Sequence, residues 1–196
     1  MAVIRAFIAI DLTQDIRNQI DAVTQKLRCQ GNTNSIRWVP AHNIHLTLKF
    51  LGEVSSTNLE LLKKIISQEA SRNQSFEFSV KGLGAFPSVH RPRVIWVGID
   101  APPSLLTLQK GIENETQRLG YTNEDRGFSP HLTLGRISHN ASPNEVRQIG
   151  DILSHTEVGF LGKTVVRNID LFRSDLHPTG AVYTSIFQAP LIFPPQ

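Results

Sequence analysis

Two histidines and two threonines stand at matching places in this sequence. His45-Leu46-Thr47-Leu48 recurs 86 residues later as His131-Leu132-Thr133-Leu134. On a β-strand successive side chains point to opposite faces, so each histidine shares a face with its threonine, about 7 Å along the strand, while the leucines face the core. A neutral imidazole accepts a proton, an imidazolium donates one, and the unperturbed pKa of about 6.5 makes both forms accessible near neutrality. Threonine hydroxyls donate hydrogen bonds to non-bridging oxygens and can hold an anion between the two rings. Base, acid and clamp are the parts that displacement at a phosphodiester requires.

A lone histidine on a strand is more often structural than catalytic. Repetition reverses that judgement, because a core would be served as well by valine at the repeated polar positions. His42 precedes His45 by three residues, which on an extended strand puts the two on opposite faces, and no His-Glu-x-x-His helix accompanies them. A metal pair is therefore not expected. His90, His139, His155 and His177 fall among turn residues and read as surface groups, and Cys29, late in a helix, reads as inert.

The elements that must position the two motifs repeat as well. Phe7-Ile8-Ala9-Ile10-Asp11 and Trp96-Val97-Gly98-Ile99-Asp100 each read as a buried opening strand. A helix follows each: Ile16, Ile20, Val23 and Leu27 with Thr13 as N-cap and Gly31 beyond the end, then Leu105, Leu108, Ile112 and Leu119 after Pro103 and closed by Gly120. Past each motif comes a capping box, Thr57-Asn58-Leu59-Glu60 and Ser142-Pro143-Asn144-Glu145, that opens a short helix. Leu59, Leu62, Ile65 and Ile66 form the buried stripe of one, and Val146, Ile149, Ile152 and Leu153 that of the other. Each copy then ends in a strand pair, 76–85 with 93–100 and 164–173 with 181–189, the second joined by the turn Pro178-Thr179-Gly180. The order strand-helix-strand-helix-strand-strand, used twice, predicts an α+β fold. No linker separates the copies, so residues 1–196 are expected to form one domain of two repeats, about 1–92 and 93–196, with a groove along an internal pseudo-two-fold axis.

The paired His-x-Thr motifs, the opening Arg5-Ala6-Phe7-Ile8-Ala9-Ile10-Asp11-Leu12, the segment from Asn43 to Val54 and Pro130-His131-Leu132-Thr133-Leu134 resemble the two-histidine phosphoesterase superfamily. Within it the chain is similar to the RNA 2′,3′-cyclic phosphodiesterases, first known as 2′-5′ RNA ligases, over nearly its whole length. The resemblance implies a duplicated bilobal α+β fold, two antiparallel sheets flanked by helices around a central groove. It also implies metal-independent opening of a terminal 2′,3′-cyclic phosphate to a 2′-phosphomonoester, with no cofactor. Carried over, His45 is the proton donor to the leaving 3′ oxygen and His131 the proton acceptor that activates water. Thr47 and Thr133 hold the phosphate, and Arg136, five residues after His131, matches an arginine expected there, where the first motif has Phe50. Trp38, Phe7, Phe50 and Lys49 are candidate contacts to base or RNA, Lys49 because strand alternation puts it on the face of His45 and Thr47. The partner implied is RNA with a 2′,3′-cyclic phosphate end, tRNA fragments among the candidates, and a monomer is expected. Joining cyclic-phosphate and 5′-hydroxyl ends, hydrolysing small cyclic phosphates, and binding RNA ends without turnover are the alternatives.

Composition narrows the classes further. At 196 residues, with 40% hydrophobic and 19% charged residues, the chain can bury a core without staples, and a single cysteine excludes an intrachain disulfide or cysteine zinc cage. That cysteine usage, and an N-terminus without a long apolar run, point to the cytoplasm and away from membranes. The net charge of +3, from 20 basic and 17 acidic residues, is too small to announce a nucleic-acid binder by itself.

Overall fold

Apolar residues spaced four, three and four apart make one stripe on a helix, and Ile16, Ile20, Val23 and Leu27 are buried together on α1 (Gln14–Cys29). The computed structural model describes residues 3–31, 33–122, 127–178 and 180–193. Ahead of α1 lies β1 (Val3–Ile10), buried without interruption from Ala6 to Ile10 because it has strands on both sides. After it come β2 (Ile36–Trp38), a single 3₁₀ turn (Ala41–Asn43), β3 (Leu46–Ser55), α2 (Ser56–Ala70) and β4 (Phe76–Phe86). The second copy runs through β5 (Val94–Asp100), α3 (Pro103–Arg118), β6 (His131–Ile137), α4 (Pro143–His155), β7 (Phe160–Val166), β8 (Asn168–His177) and β9 (Gly180–Pro190).

The strands form two sheets, ordered β3-β1-β8-β9 and β2-β6-β5-β4-β7, with every neighbouring pair antiparallel. This is the duplicated α+β arrangement expected. The sheets are not, however, the two sequence copies. β1 and β3 of the first copy are completed by β8 and β9 of the second, and β4 of the first copy pairs with both β5 and β7 of the second. The strand at 94–100 pairs with β4 as expected, and on its other side with β6.

Two local expectations need correction. The strand expected at 164–173 is two strands: β7 ends at Val166 against β4, and after Arg167 the chain enters the other sheet as β8, so that β9 pairs with 168–177. The N-cap of α2 is Ser55 rather than Thr57, its hydroxyl accepting from the Asn58 N–H at 3.2 Å. β3 runs into α2 without a loop, so the first hydroxyl reached takes the cap, and Glu60 pairs with Lys63 instead. β2, three residues long, was below the length at which alternation shows. The box at Ser142 and Glu145 forms in full, with Ser35 also donating to Glu145, so hydrogen bonds from Ser35 and Ser142 hold that carboxyl down at about 2. Leu119 follows the last turn of α3, and Gly120 closes it at φ +90°, where a Cβ would be strained. Thr179 of the β8–β9 turn lies outside the described residues.

Candidate active site

Each motif enters its strand through the same device. The Nδ1–H of His45 donates to the Asn43 carbonyl at 2.8 Å, and that of His131 to the Ser129 carbonyl at 2.7 Å. A carbonyl only accepts, so Nδ1 carries the proton in both rings and Nε2 is left available for chemistry. Just past each threonine the strand bulges. Thr47 and Lys49 face consecutive residues of β1, Ala9 and Ile8, which leaves Leu48 as the extra residue. Thr133 and Gly135 likewise face Trp96 and Ile95 of β5, with Leu134 extra.

The bulge reverses the alternation of faces. Leu48 and Lys49 are both buried, and Phe50 returns to the face of His45 and Thr47; Leu134 and Gly135 are both buried, and Arg136 returns to the face of His131 and Thr133. Without the extra residue, Arg136, an odd number of positions from His131, would point into the core. The same shift overturns the reading of Lys49 as an RNA contact. It is 1% exposed, ion-paired to Glu113 of α3 at 2.5 Å, and donates to the Thr122 carbonyl.

β3 and β6 touch, and the two motifs open on one cavity of about 370 Å³. Its walls bring together His45, Thr47, His131, Thr133, Arg136 and Phe50. Phe50 is 58% exposed there. Trp38 is not among the lining residues. It packs against the bare Cα of Gly135, where a Cβ would come within 3.1 Å of its ring, and the Arg28 guanidinium covers it 5.6 Å from the ring centre; Val39 lines the cavity instead. Phe7 is buried, and its faces are spent on His45 (ring centres 4.5 Å apart, 21° between planes) and Phe172 (5.3 Å, 14°). It lines the cavity, with its ring packed against the histidine.

The sequence reading missed Arg5, Asn43, Ser174 and Tyr183, which also line the cavity. Arg5 carried a signal, since it lies two residues before Phe7 on the same strand face. Tyr183 carried none, because it reaches the site from β9. Its ring meets His45 edge-on at 5.2 Å. Enclosed in this way, His45 loses hydration that its charged form needs, and burial lowers its pKa from 6.5 to about 4, against the Asn43 hydrogen bond and the charge of Asp11. His131 meets one aromatic edge among the described residues, that of Phe86 at 4.9 Å. His42 stands in the 3₁₀ turn, outside the lining, and among the described residues no three His, Cys, Asp or Glu side chains gather as a metal site. No helix in the described residues is long and apolar enough to cross a membrane.

The sequence profile of the LigT-like phosphoesterases matches residues 10–96 and again 97–183. The chain belongs to the LigT-like phosphoesterase family. The profile divides the family's two copies within β5, four residues beyond the boundary expected near 92. Among relatives, the RNA 2′,3′-cyclic phosphodiesterase of Methanothermobacter thermautotrophicus is 30% identical over 93% of this chain and 96% of its own length. That of Methanocaldococcus jannaschii is 32% identical over 93% and 98%. Among solved structures, Escherichia coli LigT in complex with 3′-AMP superposes with a TM-score of 0.78 at 29% identity, covering 97% of this chain and 99% of LigT.

Proposed function

We propose that this LigT-like phosphoesterase is an RNA 2′,3′-cyclic phosphodiesterase that opens the terminal cyclic phosphate to a 2′-phosphomonoester using two histidines and no metal. The observation that carries the reading is the convergence of two Nδ1-anchored imidazoles, two threonines and one arginine on a single cavity. His131 takes a proton from water at Nε2 as the water oxygen bonds to phosphorus. The P–O3′ bond breaks, and the leaving 3′ oxygen receives the Nε2 proton of His45. Thr47 and Thr133 donate to the non-bridging oxygens, Arg136 pairs with the phosphate charge, and Phe50 offers a face to the terminal base. The names of the relatives support the RNA substrate. Residues 1–196 act as one unit and as a monomer, on RNA ends in the cytoplasm, tRNA fragments among them.

A proton donor must arrive charged, whereas burial holds His45 neutral above about pH 4. A phosphodiester anion seated beside it restores what burial removes and favours the imidazolium. The lowered pKa also favours a second reading, with His45 as base and His131 as acid. Product identification from a cyclic-phosphate oligonucleotide, with EDTA present, tests the activity: a 2′-phosphate is expected, while a 3′-phosphate, a ligated product or loss of activity to EDTA overturns it. A substrate with sulfur at the 3′ position separates the two assignments, because a thiolate leaves without an acid. It restores turnover to His45→Ala on the first reading and to His131→Ala on the second.

A further inference from the structure

One guanidinium holds the segment that leads into His45. Arg17, on α1 and 11% exposed, donates through Nη1 to the carbonyls of Ala41 (3.0 Å), His42 (2.9 Å) and Ile44 (3.1 Å), and through Nε to that of Leu12 (3.3 Å). Its other terminal nitrogen is paired with the Asp11 carboxylate. Between the gripped carbonyls lies Asn43, whose own carbonyl takes the His45 Nδ1–H and whose side-chain amide donates to the Ala181 carbonyl of β9 at 2.8 Å. Three carbonyl oxygens drawn to one nitrogen crowd their partial negative charges together, and a rigid cationic fork is the donor suited to hold them. Arg17 does not line the cavity. Among the described residues no side chain grips the segment before His131 in the same way.

We propose that Arg17 is a positioning residue for His45: by gathering the carbonyls of the 41–44 turn it fixes the Asn43 carbonyl on Nδ1, and with it the tautomer and the direction of Nε2. The inference rests on the two-histidine reading for its effect on turnover, and on geometry alone for its effect on the ring. The charged and titratable groups around His45 are Asp11 and Arg17 behind the turn, Tyr183 from β9, and Arg5, His131 and Arg136 along the cavity.

The test compares the full chain with Arg17→Met, Arg17→Lys and, as a control for lost stability, Ile112→Val in the core of α3. Nitrogen-15 NMR of the imidazoles needs no substrate. In Arg17→Met, and equally in Arg17→Lys, which keeps the positive charge that itself lowers the His45 pKa, the His45 Nδ1–H signal should broaden and its titration midpoint rise toward the free value of about 6.5 as water reaches the ring. With a short cyclic-phosphate oligonucleotide, kcat should fall about 10²-fold, the cost of a catalytic group misplaced by roughly 1 Å, with KM little changed. Lysine, a point charge without the fork, should not restore it, and Ile112→Val should alter neither readout. If Arg17→Met does not fold, Arg17→Lys, which keeps the charge but loses the fork, should broaden the same His45 Nδ1–H signal. Unmoved His45 signals overturn the inference even where hydrolysis is found, and full kcat in Arg17→Lys overturns the role of the fork. Absence of hydrolysis in the unmutated chain overturns the function and leaves the NMR result to decide the positioning.

Discussion

His45 and His131 are presented by the same backbone device in different surroundings. Both give Nδ1–H to the carbonyl two residues back, and both precede a bulge that returns the residue five places on to the site. Around His45, however, lie Phe7, Phe172 and Tyr183, drawn from three strands of its sheet, whereas among the described residues His131 meets just the edge of Phe86. After the first bulge stands Phe50, and after the second Arg136. The contrast separates what duplication supplied, a geometry, from what divergence supplied, a dry ring on one side and a charged anchor on the other.

The strongest way to break the comparison is to remove each ring. His45→Ala and His131→Ala should each lower kcat by about 10²–10⁴-fold with an unchanged circular dichroism spectrum. The double variant should lose little more than either single one, since acid and base act in one step. A single variant with full turnover would remove its histidine from the chemistry.

Arg136→Ala should lower kcat/KM by roughly 10–100-fold, the worth of a charged hydrogen bond, and Phe50→Ala by less, in a manner that depends on the terminal base. Equal effects of the two would erase the distinction between an anchoring and a stacking side. The dry surroundings of His45 also set a dependence of stability on pH. In the unfolded chain this ring protonates near pH 6.5 and in the folded chain at about 4. The contribution is therefore whole above pH 6.5 and is lost as pH falls toward 4, on the order of 2–3 kcal/mol, because over that window the unfolded state binds the extra proton. Urea titrations across the window should show the slope in the unmutated chain and a shallower one in His45→Phe.

The smallest effects compare the two helix starts after the motifs. Ser142→Ala and Ser55→Ala should each cost about 1 kcal/mol, and Thr57→Ala close to nothing, by thermal denaturation. A loss at Thr57 matching that at Ser55 would restore the symmetry of capping boxes that the sequence suggests.

Much of the site was legible because its key residues are repeated and local. His45 with Thr47 and His131 with Thr133 sit two apart, within a span that alternation reads correctly. Lys49 and Arg136 lie beyond the bulges, where alternation fails, so the first was placed on the wrong face and the second was reached through resemblance instead. The enclosure of His45 was not legible at all, because Phe172 and Tyr183 come from strands more than 120 residues away. The helices could be read from their stripes, whereas the exchange of strands between copies left no local mark, since β8 is as apolar in either sheet.

That exchange bears on how the protein is made. The first sheet has β1 and β3 near the start of the chain and β8 and β9 near its end, with Ala9 paired to Asp170. During synthesis, β1 must wait beside β3 with one edge unpaired until residues 168–190 have left the ribosome, an interval in which its apolar edge is open to wrong partners. Pairings of such long sequence separation form slowly, so closing this sheet is a late step in folding.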